Sequence, residues 1–171
     1  KMKFIGVMTG NSLDGVDVVL TDFNQNQIKD IDGVSLPFPE QLRMDFLSFR
    51  NQLKIKKVTE INEFPNLIKK YTELVAKAIN QLDKTDVVAI GLHGQTCDHF
   101  PPSIAGSKKP YTLQVFDAKL LAELTDLPVI YDFRSDDLMN GGEGAPLAPM
   151  HNAHLSADLK QKGYPSSLQV T

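Results

Sequence analysis

The opening of the chain contains three short strand-like runs. Residues 3–8 form an apolar run, residues 16–23 alternate apolar and polar positions, and residues 29–36 give a weaker run after the polar turn at 24–27. A period of two residues is typical of a half-buried strand, and runs joined by short polar turns tend to pair antiparallel. The pattern therefore predicts a three-stranded antiparallel meander.

Two helical patterns follow the meander. Leu42, Phe46 and Phe49 recur at helical spacing, and a longer apolar stripe follows Pro65, which is placed to open a helix. The stripe consists of Leu67, Ile68, Tyr71, Leu74, Val75, Ala78, Ile79 and Leu82. Its period near 3.6 predicts an amphipathic helix whose apolar face meets the core.

The remainder of the chain alternates strand and helix patterns. Residues 86–94 contain an unbroken apolar run, which indicates a strand buried on both faces. Residues 111–115 and 127–133 give further strands, with a helix predicted over 116–126 between them. A Gly-rich loop at 141–144 precedes another predicted helix.

This order predicts an α/β domain with a mixed five-stranded sheet and helices on both faces. We expect the domain to span residues 1–165 and the next strand to begin at 166–171. Because that strand stops soon after it begins, we expect the chain to be the N-terminal part of a longer protein.

Composition narrows the classes of function. The chain has 171 residues and is 42% apolar, enough for one domain with a core. Its net charge of -3 gives no electrostatic reason to expect nucleic acid or an anionic membrane as a partner. No apolar run approaches the roughly 18 residues of a membrane span. The single cysteine, Cys97, allows no intrachain disulfide, which suits a reducing cytoplasm.

The turn between the first two strands is rich in hydrogen-bonding groups. In it, Gly10 and Gly15 can take positive φ and let a ligand approach the backbone. The turn's amides can form an anion-binding concavity, to which Thr9, Asn11 and Ser12 add side-chain donors. The alternative is a plain hairpin whose polar side chains stabilise the turn.

Two carboxylates accompany these donors. Asp14 and Asp17 would repel a bare phosphate, so their presence is better explained if Mg²⁺, held partly through water, lies between carboxylate and phosphate. The sequence contains no G-x-x-x-x-G-K-[ST] motif, so the turn is not a Walker loop.

Four sequence blocks resemble motifs of the anhydro-N-acetylmuramic acid kinases. GNSLDGVD at 10–17 is similar to their GTSLDGVD, and GLHGQT at 91–96 to their GxHGQT. The segments 112–115 and 120–134 resemble TLQ…AExTGxxVVxDFR, and 141–155 resembles GGQGAPLxPxxH. The blocks occur in order along nearly the whole chain, which makes the resemblance specific.

The resemblance implies an enzyme that uses ATP and Mg²⁺. Such enzymes open the 1,6-anhydro ring of 1,6-anhydro-N-acetylmuramic acid with water and phosphorylate its 6-oxygen during peptidoglycan recycling. The implied fold is a ribonuclease H-like (actin-like ATPase) domain, one of two lobes around a cleft, in a cytoplasmic homodimer. The ATP phosphate turn would comprise Gly10, Asn11, Ser12, Leu13, Asp14, Gly15, Val16 and Asp17.

The resemblance also implies what this chain lacks. The family's catalytic base lies in a G-[FY]-D-x-G-P-G-N motif, which we expect beyond Thr171, so these residues alone should turn over no substrate. Two positions depart from the pattern: Asn11 stands for a usual Thr, and Glu143 for a usual Gln. Both departures bear on the choice of sugar more than on the fold.

Polar residues near strand ends are candidates for binding the sugar. His93 and Gln95 follow a buried strand, where α/β sheets place ligand contacts, although local loop bonding would also explain them. Thr112 and Gln114, two residues apart, face one side of a strand, toward either ligand or water.

Asp132 and Arg134 end the last strand pattern. They either pair with each other or leave Arg134 to hold the acidic lactyl group of the sugar, since a guanidinium clamps carboxylates well.

Two other functions remain open at this point. A non-catalytic sugar- or nucleotide-binding module could use the same fold. His93, Cys97 and His99 could ligate zinc in a hydrolase, but their H-x₃-C-x-H spacing is not a standard one.

Overall fold

The computed structural model describes residues 2–10, 12–25, 27–56, 64, 66–92, 95–100 and 111–131, with 95–100 and 111–114 described through the backbone only. The strands are β1 (Met2–Thr9), β2 (Gly15–Asn24), β3 (Gln27–Pro37), β4 (Val87–Leu92), β5 (Gln95–Phe100), β6 (Tyr111–Val115) and β7 (Val129–Ile130). The helices are α1 (Glu40–Leu53), α2 (Leu67–Ile79) and α3 (Ala118–Thr125). None of these described helices is both long and apolar enough to cross a membrane.

The main sheet is mixed and has five strands in the order β3-β2-β1-β4-β7. The first three strands pair antiparallel, while β4 runs parallel to both β1 and β7. The predicted meander and the predicted α/β class with a five-stranded mixed sheet are therefore confirmed, and the arrangement is ribonuclease H-like. The helix predicted from Pro146 to about Leu155 lies outside the described residues.

The core lies between one face of this sheet and the helices. Ile5 on β1 and Val18 on β2 point into it, as do Phe46 on α1 and Tyr71 on α2, all with at most 1% of their surface exposed. Full burial of such a side chain contributes roughly 1.5–3 kcal/mol, so the alternation of β1 and β2 fixes which face meets the helices. The predicted stripe on α2 is confirmed as the core-facing side except at Ile68, which is 43% exposed.

Helix α3 is held by a hydrogen bond at each end and leads to β7, which is an edge strand of the sheet. At its start the Asp117 carboxylate accepts a hydrogen bond from the Leu120 amide at 3.0 Å. At its end the Thr125 carbonyl accepts a hydrogen bond from Lys84 Nζ at 2.7 Å. The chain then leaves the helix through Asp126, whose φ is 58°.

The structure differs from the sequence predictions around β5 and β6. These strands pair antiparallel in a separate two-stranded sheet, whereas only residues 111–115 were predicted to form a strand. Residues 95–100 carry no apolar alternation, so their strand is defined by pairing alone. In β4, Val88 is 45% exposed, so the structure does not bury both faces of that strand along its length.

Candidate functional site

The candidate site is the turn of residues 10–14, which joins β1 to β2. Thr9 ends β1, and Leu92 ends the parallel strand β4 with Val7 as its register partner. The turn therefore lies at the end of the sheet where the parallel strands β1 and β4 have their carboxyl ends. Open α/β sheets bind ligands outside the carboxyl ends of their strands, because the loops that leave those ends enclose a crevice.

Leu13 gives the turn its backbone shape. Its φ is 59°, its amide donates a hydrogen bond to the Gly10 carbonyl at 3.3 Å, and its side chain is 1% exposed in the core. A left-handed conformation costs a leucine about 1–2 kcal/mol, which burial of the side chain offsets. Positive φ occurs at this residue, and neither Gly10 nor Gly15 adopts it.

Gly15 has a different reason to be a glycine. A Cβ at this position would lie 2.6 Å from the Leu36 carbonyl oxygen, closer than real Cβ contacts. At Gly10 the nearest atom to such a Cβ would be Ser12 Oγ at 3.5 Å, an ordinary contact. Gly15 thus permits β2 to approach β3, and this requirement is independent of any ligand.

The exposed side of the turn presents hydrogen-bond donors. Gly10, Ser12 and Asp14 are exposed. Within the described part of the chain, the amides of Ser12 and Asp14 have no protein acceptor. Free backbone amides beside an exposed hydroxyl are groups that bind an anion.

The two carboxylates differ in their surroundings. Ser35 Oγ donates a hydrogen bond to Asp17 Oδ1, and both residues are exposed on the sheet face opposite the core. The Asp14 side chain is exposed and has no hydrogen-bond partner among the described residues. Asp14 is therefore the carboxylate with both oxygens available to a hydrated cation. Val16 is fully buried, so its side chain belongs to the core.

The sequence did not indicate that Tyr71 and Phe38 contact the two sides of the turn from the core. Thr9 Oγ1 lies 3.2 Å from the Tyr71 hydroxyl, within hydrogen-bond distance. The Phe38 amide donates a hydrogen bond to the Asp14 carbonyl at 3.0 Å. The available sequence signal was a tyrosine within an otherwise aliphatic stripe, because a buried phenol usually needs a polar partner.

The predicted sugar-binding residues are described only in part. The β5–β6 pairing sets Gln95 opposite Val115 and Gln114 opposite Thr96, so the two glutamines occupy neighbouring strands at one end of the hairpin. Thr112 stands opposite His99. The structure does not describe the side chains of these residues.

The remaining predicted residues lie outside the described residues. They are Asn11, His93, Asp132 and Arg134. The proposed zinc ligands are likewise not described as side chains, and the described residues hold no group of three or more side chains suited to a metal ion.

Comparison with known proteins agrees with the motifs. A family model described as anhydro-N-acetylmuramic acid kinase matches residues 2–164. A relative with that name from Nitrosospira multiformis is 39% identical over 159 residues, which cover 91% of this chain and 42% of the relative. One from Prochlorococcus marinus is 40% identical over 159 residues, covering 90% of this chain and 40% of the relative.

The match covers nearly all of this chain but leaves most of each relative unmatched. The chain spans about two fifths of the length of these curated relatives. The resemblance drawn from the four motifs is confirmed, because the family model matches far more than half of the chain. The chain belongs to the anhydro-N-acetylmuramic acid kinase family.

Proposed function

We propose that the chain is the N-terminal lobe of an ATP-dependent kinase acting on 1,6-anhydro-N-acetylmuramic acid. The complete enzyme opens the anhydro ring with water and phosphorylates the 6-oxygen, giving N-acetylmuramic acid 6-phosphate. The observation that carries the proposal is the turn at 10–14. The amides of Ser12 and Asp14 have no protein acceptor among the described residues, and the turn lies at the carboxyl ends of β1 and β4. The turn is also part of the segment that matches the family model.

The donor set of the turn fits a nucleotide with its magnesium ion. The amides of Ser12 and Asp14 and the Ser12 hydroxyl would hold terminal phosphate oxygens. The Asp14 carboxylate repels a bare phosphate but suits a hydrated Mg²⁺ bound to one. Bound MgATP would supply the phosphoryl group, and its Mg²⁺ would neutralise the negative charge that develops during transfer.

The carboxyl ends of the parallel strands also favour a sugar site next to the turn. The parallel strands β1, β4 and β7 all finish there. His93 directly follows β4 in the sequence. Asp132 and Arg134 come two and four residues after Ile130, the last residue of β7. In this proposal His93, Gln95, Thr112 and Gln114 bind sugar hydroxyls, and Arg134 holds the lactyl carboxylate.

The chain's residues account for only part of this reaction. Ring opening requires a base that deprotonates water, and positioned carboxylates usually perform this role. We assign the base to an Asp beyond Thr171, and we assign the rest of the nucleotide site to a second lobe in a cytoplasmic homodimer. The chain by itself is then a binding lobe without turnover.

A coupled assay on the complete protein tests the proposal. With MgATP and the anhydro sugar, ADP and the sugar 6-phosphate should form in equal amounts, and omitting either substrate should abolish both. A non-catalytic module would instead bind the ligands in calorimetry and release no ADP. That outcome would contradict the proposed kinase reaction.

A further inference from the structure

A buried hydroxyl reaches the first residue beside the turn. Tyr71 lies on α2 and has no exposed surface, yet its hydroxyl is 3.2 Å from Thr9 Oγ1. Thr9 is the last residue of β1 and precedes Gly10. A phenylalanine would fill the same volume without burying a polar atom, so the hydroxyl has a cost that its hydrogen bonding offsets.

The ring of Tyr71 belongs to an aromatic cluster, defined here as Phe38, Phe46 and Tyr71. The Tyr71 ring centroid lies 6.2 Å from that of Phe38 and 5.8 Å from that of Phe46, with interplanar angles of 70° and 84°. Such edge-to-face packing has a preferred geometry, so the three rings constrain one another. The cluster therefore relates the position of α2 to the chain just after β3.

This aromatic cluster also reaches the far end of the turn. The amide of Phe38 donates a hydrogen bond to the Asp14 carbonyl at 3.0 Å. Tyr71 thus contacts Thr9, just before the turn, through its hydroxyl. Its ring packs against Phe38, whose amide is hydrogen-bonded to Asp14, the last residue of the turn. Leu13, buried in the same core, fixes the middle.

We propose that Tyr71 is a positioning residue for the nucleotide-binding turn. Its hydroxyl and ring hold the two ends of the turn at a fixed separation, which sets the direction of the Ser12 and Asp14 amides. Backbone donors stabilise an anion only when they converge on it, so a small change in the turn's ends lowers affinity. The identity of the ligand, MgATP, rests on the proposed function, whereas the effect of Tyr71 on the geometry of the turn does not.

The variant Tyr71→Phe isolates the hydroxyl, because it leaves the aromatic ring in place. A matched control is Thr125→Val, which also removes a buried hydroxyl, one that donates to the Leu121 carbonyl at 2.7 Å. Thr125 is bonded through its carbonyl to Lys84, just before β4 begins, and so lies at the opposite end of the sheet. A merely structural role predicts that both variants lose thermal stability and behave alike otherwise.

The first measurement is calorimetric affinity in the complete protein. Tyr71→Phe should weaken MgATP binding by about tenfold and change affinity for the anhydro sugar less than about twofold. Thr125→Val should bind MgATP like the wild type. Wild-type affinity for MgATP in Tyr71→Phe would overturn the inference.

The second measurement needs no nucleotide. In the free protein, the Leu13 amide donates a hydrogen bond to the Gly10 carbonyl, so its hydrogen exchange should be faster in Tyr71→Phe than in the wild type and unchanged in Thr125→Val. If the wild type binds no MgATP, the proposed function fails while this comparison still tests the positioning role. Equal exchange rates in Tyr71→Phe and the wild type would overturn that role.

Discussion

Ser35 donates a hydrogen bond to Asp17 across the β2–β3 pair, and this contact distinguishes the two carboxylates of the GNSLDGVD segment. Asp17 has one oxygen engaged on the sheet face, whereas Asp14 is exposed in the turn, beside the free amides. We therefore assign the contact with hydrated Mg²⁺ to Asp14 rather than Asp17.

The first prediction concerns how removal of the Asp14 charge changes nucleotide affinity, with and without Mg²⁺. Asp14→Asn should weaken binding of MgATP by about tenfold, since a carboxylate is the stronger ligand for a hard cation. The same variant should strengthen binding of ATP measured in excess chelator, because it removes a repulsive charge. Titration calorimetry with and without Mg²⁺ measures both changes. Asp17→Asn is the matched control, and a larger effect there would reverse the assignment.

The second prediction concerns Gly15. Gly15→Ala should lower the free energy of unfolding by about 1–3 kcal/mol, since the added Cβ meets the Leu36 carbonyl and the backbone must shift. Gly6→Ala is the control, because a Cβ there meets nothing within 4 Å. Urea denaturation should show the control at or slightly above wild-type stability. Equal stability of the two variants would show that β2 and β3 do not require the close approach.

The third prediction concerns the apolar anchor of the turn. Leu13→Ala should cost about 2–4 kcal/mol of unfolding free energy, the usual range for truncating a buried leucine. Leu47→Ala, in the exposed part of α1, should change it by less than about 0.5 kcal/mol. Both values come from chemical denaturation. If Leu13→Ala unfolds like Leu47→Ala, then the left-handed turn is not held by the core.

The fourth prediction concerns turnover by the chain alone. Residues 1–171 should release no ADP from MgATP and the anhydro sugar, because the proposed base and second lobe lie elsewhere. The complete protein should do so under the same conditions. Robust kinase activity from the 171-residue chain would show that the chemistry is complete within it.

The periodic parts of the fold were predictable from the sequence. The alternation in β1 and β2 and the stripe on α2 report directly which side chains are buried, and burial dominates their energetics. The strand at 95–100 was not predictable, because its residues form a strand only through pairing with β6. A polar segment of this kind has no periodic signal to detect.

The finer geometry of the site depended on long-range contacts. The positive φ at Leu13 is imposed by the core, and sequence reasoning looked for it at Gly10 and Gly15 instead. The hydroxyl of Tyr71 meets Thr9 from 62 positions away along the chain. Periodicity indicates the buried face of a helix but does not identify the polar partner of a residue on that face.

Binding of the nucleotide's phosphates by the turn at 10–14 is open to direct observation. The measurement is a crystal structure of the complete protein with Mg²⁺ and a non-hydrolysable ATP analogue. We expect terminal phosphate oxygens about 2.7–3.2 Å from the amide nitrogens of Ser12 and Asp14. A triphosphate bound elsewhere, with those two amides facing solvent, would contradict it.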